Sequence, residues 1–115
     1  MNILVTAIAT VLAVSSMPVA QAMDGSELLA GYNSYQRVRA GSAANMDAYQ
    51  GGLFDGYVSG VFDSAVGIAL CVQGEVKNGQ IQEVVGQFLE SHAASRQRSA
   101  VLLATQALMQ AFPCK

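Results

Sequence analysis

The 115-residue sequence has no tryptophan, one histidine, two prolines and two cysteines, and only 12% of its residues are charged. Each scarcity narrows the reading. A metal centre needs several His, Cys or carboxylate ligands converging, and a general base needs a partner in reach; the lone His92 comes with neither. Six basic residues, Arg37, Arg39, Lys77, Arg96, Arg98 and Lys115, are scattered against eight acidic ones for a formal charge of −2. That balance gives no footprint for nucleic acid. No glycine-rich loop sits at a strand-to-helix turn, so no phosphate cradle is marked. No useful stretch alternates apolar with polar residues, which leaves the fold class all-α. These absences predict a binder without metal or cofactor, and no enzyme.

One long hydrophobic run is present, over residues 3–14, followed by Ser15, Ser16 and Pro18 and then Ala20-Gln21-Ala22. An apolar stretch ahead of an Ala-x-Ala site is the pattern of a cleaved export signal. No Lys or Arg precedes the run, so its positive end is the amino terminus alone. The run falls short of the roughly 20 apolar residues that span a bilayer, and Pro18 interrupts it, so a retained anchor is the weaker reading. The expected organisation is a signal over residues 1–22 and one domain over 23–115, with no membrane contact after cleavage.

A domain this small buries a limited core and gains from a covalent constraint or a second subunit. Cys71 and Cys114 allow one internal disulfide, favoured in an oxidising compartment, and closing that loop restricts the unfolded chain by about 4 kcal/mol. The alternatives are two buried free thiols or a bond between chains.

Four helices are expected. The first has Ser26 as N-cap, Glu27 in its first turn and an inward stripe of Leu28, Leu29, Tyr32 and Tyr35, and it ends near Val38. Residues 39–45 read as a connector. The second runs over 46–70, with Tyr57, Val61 and Phe62 turned inward and Asp55 and Asp63 in water. Gly52, Gly56 and Gly60 line one side of it. Each costs about 1 kcal/mol relative to alanine inside a helix, which predicts a backbone passing close along that side. A membrane dimer motif is the other source of such spacing, and the two carboxylates argue against it. The third helix, over 80–91, has the stripe Ile81, Val84, Val85, Phe88 and Leu89, with Gln82, Glu83, Gln87 and Glu90 facing solvent. After a turn, Ser95 caps a fourth helix to Ala111 whose inner face is Ala100, Leu103, Ala104, Ala107, Leu108 and Ala111. A Cys71–Cys114 bond would fasten the end of the fourth helix beside the end of the second, giving a small stapled four-helix bundle.

Gly56-Tyr57-Val58-Ser59-Gly60, then Cys71, then Gln80, Val84, Phe88 and Leu89, and finally Ala111-Phe112-Pro113-Cys114 resemble, in order and spacing, the Rap/Tai immunity proteins of type VI secretion systems. The resemblance covers about residues 28–114. Relatives often carry a second cysteine pair linking the first two helices, where this sequence has Gly31 or Tyr32 and Phe54. They also tend to have a proline soon after the mid-chain cysteine, where Gln73 stands here.

The resemblance implies a periplasmic homodimer that binds a peptidoglycan amidase effector from sister cells and occludes its active-site cleft. Blocking a cleft needs a projecting, preorganised element, and the turn between the third and fourth helices is the candidate. There His92, Ser95, Arg96 and Arg98 would donate to acidic or carbonyl groups of the amidase, with Glu90 and Ser91 on the preceding turn; an ordinary solvated turn is the plain alternative. A periplasmic acid-stress chaperone is the rival function, since it too can be a small exported helical dimer with one disulfide. An envelope enzyme or lipid carrier would need a catalytic cluster or cavity that the sequence does not display.

Overall fold

The computed structural model describes residues 22–115, so the expected signal lies, up to residue 21, outside the described residues. Four α-helices, α1 (Gly25–Arg39), α2 (Asp47–Ala65), α3 (Asn78–Ser91) and α4 (Ala100–Ala111), surround one apolar core, with a short 3-10 turn at Ala93–Ser95 and no strand among the described residues. The expected all-α bundle is present.

α1 starts two residues earlier than Ser26 would dictate. Its N-cap is Asp24, which accepts from the Glu27 amide at 2.9 Å, while the Glu27 carboxylate accepts from the Asp24 amide at 3.0 Å. This reciprocal box satisfies two otherwise orphaned amides at once, which Ser26 at the cap would not do. From that start, Leu28 and Tyr32 fall into the core and Leu29 and Tyr35 pack at its edge, as the stripe predicts.

α2 lies along α1, and the glycines that allow the approach are not the expected ones. A Cβ on Gly51 would sit 2.9 Å from Tyr35 Cα, and one on Gly31 would sit 3.0 Å from Phe54 Cβ. Gly52, Gly56 and Gly60 have nothing within 4 Å: their side of α2 faces out, and no backbone of the described residues passes it. Gly31 and Tyr32 meet Phe54, at the positions where the resemblance leads one to expect a second cysteine pair. There the Tyr32 and Phe54 rings meet at 5.3 Å and the Tyr35 and Phe54 rings at 5.6 Å, so aromatic packing joins α1 to α2.

α2 ends at Ala65, short of the expected Leu70, because Gly67 takes a left-handed φ of 80°. The chain turns back there, with the Gly67 amide donating to Leu70 O at 2.8 Å, and Leu70 is fully buried ahead of Cys71. Val61 is buried and Tyr57 and Phe62 half-buried. Asp63 is exposed as expected, but Asp55 is not simply wet. Its carboxylate accepts from Gln82 Nε2 at 2.5 Å and Asn78 Nδ2 at 3.2 Å.

α3 keeps its stripe, with Ile81, Val85, Phe88 and Leu89 buried and Val84 at the edge, and it begins at Asn78 rather than Gln80. Gln82, placed on the wet side by its polarity, is fully buried instead. Its amide nitrogen faces Asp55, Ser59 and Asn78, a polar seam that joins α3 to α2, while its Oε1 has no partner. Burying a side-chain amide becomes tolerable when most of its hydrogen bonds are made.

Ser99 rather than Ser95 stands at the N-cap position of α4, without a side-chain cap bond, because the 3-10 turn intervenes, and Ala111 is exposed at its last turn. Ala100, Leu103, Ala104, Ala107 and Leu108 are buried as predicted. Cys71 and Cys114 form the disulfide, with Cα atoms 4.8 Å apart and a sequence separation of 43. Beside it the Cys71 amide donates to Phe112 O at 2.9 Å, and Phe112 meets Phe62 edge-on at 5.9 Å.

The α1–α2 connector is fixed by one ion pair. Arg37 grips Asp47 through Nε at 2.8 Å and Nη2 at 2.6 Å, and the Ala44 amide donates to the same carboxylate at 2.8 Å. These donors, Arg37 first, hold the Asp47 carboxyl well below the usual carboxylate range. A depressed folded-state pKa contributes stability above the unfolded value of about 4 and loses it as pH falls toward the folded one. The urea midpoint of Asp47→Asn is therefore expected to lie below that of the unaltered chain at pH 6, and the gap to close as pH is lowered from about 4 to 2. A gap that stays constant over that range would remove the ion pair as its cause.

Candidate functional site

The last turn of α3 and the segment joining it to α4 together gather every residue expected to meet a partner, and the segment is held on both sides. On the α3 side, Arg96 turns back: its Nε donates to Leu89 O at 2.8 Å and its Nη2 to Glu90 O at 2.8 Å. A helix leaves its last carbonyls without partners, and a guanidinium there both donates to them and complements the negative end of the helix dipole. Arg96 thus spends much of its donor fork on α3, which sequence alone does not reveal.

His92 is equally engaged. Its ring stacks on Phe88 with centroids 3.8 Å apart, and Nδ1 lies 2.7 Å from Phe88 O. A carbonyl only accepts, so Nδ1 carries the proton and donates to it, which leaves Nε2 as the atom available to a partner. Ser91 Oγ is 3.1 Å from that same Nδ1 but donates to the Gln87 and Phe88 carbonyls of its own helix. A nitrogen already donating cannot take the serine proton, so this pair is not an activated nucleophile.

Ser95 is half-buried, its amide donating to His92 O at 3.0 Å and its carbonyl accepting from the Arg98 amide at 2.9 Å. Glu90, Ser91, His92 and Arg98 are exposed. The structure thus presents Glu90, Ser91, His92 and Arg98 outward, and draws Ser95 and Arg96 toward the body.

On its other side the segment rests on the start of α1. The Gly25 amide donates to Arg98 O and the Ser26 amide to Arg96 O, each at 3.0 Å, and the Ala100 amide donates to Met23 O at 2.9 Å. Asp24 and Ser99 pair as an isolated antiparallel bridge. This underlay leaves no mark in the sequence, because its donors and acceptors are backbone atoms from opposite ends of the domain.

No three His, Cys, Asp or Glu side chains converge as metal ligands among the described residues. None of the described helices is long and apolar enough to cross a membrane. A family model described as Rap1a immunity proteins matches residues 24–114. No curated protein matches the sequence.

Proposed function

Since the match takes in nearly all of the described chain, this protein belongs to the Rap1a immunity protein family, and from that premise we propose that it is a periplasmic immunity protein, exported by removal of residues 1–22, that binds a type VI peptidoglycan amidase effector and blocks its cleft. The observation that carries the reading is a connector fastened on both flanks that, with the last turn of α3, still presents Glu90, Ser91, His92 and Arg98 outward. A preordered element loses little conformational entropy on binding, which suits an inhibitory plug. Arg98 and His92 Nε2 supply the polar contacts to the cleft, Glu90 and Ser91 flank them, and Ser95 and Arg96 set the shape of the turn. The protein acts by occupancy and catalyses nothing. Homodimerisation belongs to the same proposal: Met46, Tyr49 and Leu53, exposed on one side of α2, offer apolar area for a second copy. Sedimentation should give twice the chain mass. The acid-stress chaperone reading gains nothing from family membership.

The test is protection. A sensitive cell that carries a periplasmically targeted peptidoglycan amidase, encoded beside this protein, should survive when the protein is co-expressed. Removing the exposed cation by Arg98→Ala should weaken binding of the purified amidase about tenfold or more, since a hydrogen bond to a charged group contributes about 1.5–3 kcal/mol. Arg96→Ala is expected to lower the melting temperature as well, because α3 loses its C-terminal donors. Continued lysis in the presence of the unaltered protein would end the amidase reading, and full binding by Arg98→Ala together with His92→Ala would move the contact elsewhere.

A further inference from the structure

We infer that Met23, Asp24, Gly25 and Ser26 form a latch that fixes the α3–α4 connector, so that the first residues of the domain are positioning residues for the surface proposed to enter the amidase. The functional half of this inference rests on the proposal above. The structural half does not.

Helix starts leave their first amides without partners inside the helix. Here α1 and α4 begin side by side, and each start is satisfied by the segment leading into the other. The Asp24 carboxylate accepts only the Glu27 amide, and the two amides before it, Gly25 and Ser26, donate to the connector carbonyls of Arg98 and Arg96. The exchange is returned at the first residue of α4, where the Ala100 amide donates to Met23 O. The connector has no ladder of its own beyond short local turns, so these bonds and the Arg96 side chain determine its course.

Gly25 makes the approach possible. It is buried, and a Cβ there would fall 2.9 Å from Arg96 O and 3.0 Å from Arg96 Cα, while also striking Leu103 Cδ1. Two of those atoms are backbone, so the connector itself would have to move. The latch also begins one residue after the expected cut at Ala22, which couples processing to binding: loss of two further residues removes the acceptor for Ala100 and the Asp24–Glu27 box together.

The experiment uses the full exported chain in three forms: unaltered, Gly25→Ala, and with Met23 and Asp24 deleted. Amide hydrogen exchange is read at Ser26 and Ala100, whose amides donate across the latch, circular dichroism reports helix content, and binding is titrated against the periplasmic amidase used above. Both variants should keep their helices, exchange at least tenfold faster at those two amides, and bind at least tenfold more weakly. The deletion adds no atom to the crowded space, so it carries the comparison if Gly25→Ala does not fold. Unchanged exchange in the folded variants overturns the latch, and so does loss of the whole fold in both, which would make these residues part of the core. Faster exchange with undiminished binding overturns the positioning role. If the unaltered chain binds no amidase, the functional reading of the connector falls, while the exchange rates still decide the latch.

Discussion

Replacing both Cys71 and Cys114 by serine is expected to lower the free energy of unfolding by about 4 kcal/mol and the melting temperature by on the order of 20 °C. The bond joins positions separated by 43 in sequence, and most of its effect falls on the unfolded chain, whose freedom it removes. In a domain this size 4 kcal/mol is on the order of half the total stability. In the folded state the same bond seats the last residues: the Cys71 amide on Phe112 O, and Phe112 against Phe62, depend on the end of α4 staying beside the turn that follows α2. Thermal melts of the double serine variant and of the oxidised chain would measure the difference without disulfide reshuffling. A difference under about 1 kcal/mol would mean that the unfolded chain is already held compact, and that the aromatic contact rather than the bond secures the terminus.

What could be read from the sequence was what depends on period and on residue type along a short stretch. The stripes Ile81, Val85, Phe88, Leu89 and Leu103, Ala104, Ala107, Leu108 fall in the core because helical spacing alone puts them on one face. The single cysteine pairing was legible by counting. Several misplaced features depend on a distant neighbour. Ser26 and Ser95 have the chemistry of caps, yet the helices start at Asp24 and Ser99 because α1 and the connector pair with one another. Gln82 is polar, and only Asp55, Ser59 and Asn78 arriving beside it make its burial acceptable. The end of α2 was hidden in an apolar run, where one left-handed glycine outweighs the hydrophobicity of its neighbours. The candidate site divides the same way. Its location follows from lying between two strongly patterned helices, but the inward turn of Arg96 and the support of Met23 and Gly25 could not be seen before the helices were packed.

The glycines carry that distinction into a measurement. Gly86→Ala is expected to destabilise the protein by about 2 kcal/mol or more, within the range for overpacked cores after allowing for the gain in helix propensity. A methyl there would overlap the ring of Tyr32 at three of its atoms. The ring has no room to withdraw: it is 2% exposed, lies 5.3 Å from the Phe54 ring and has its hydroxyl tied to Gln36 Nε2 at 2.8 Å. Gly56→Ala, by contrast, meets no atom within 4 Å and should stabilise the isolated chain by about 1 kcal/mol, the ordinary gain in a helix interior. Denaturant melts of the two variants, at protein concentrations low enough to keep the chain monomeric, should therefore separate in opposite directions. Combining Gly86→Ala with Tyr32→Leu tests the cause, since shrinking the ring should recover part of the loss beyond simple additivity. Equal effects at the two positions would mean that α3 can shift away from α1 at little cost, and then the close packing of Gly86 on Tyr32 would not be what sets the distance between those helices.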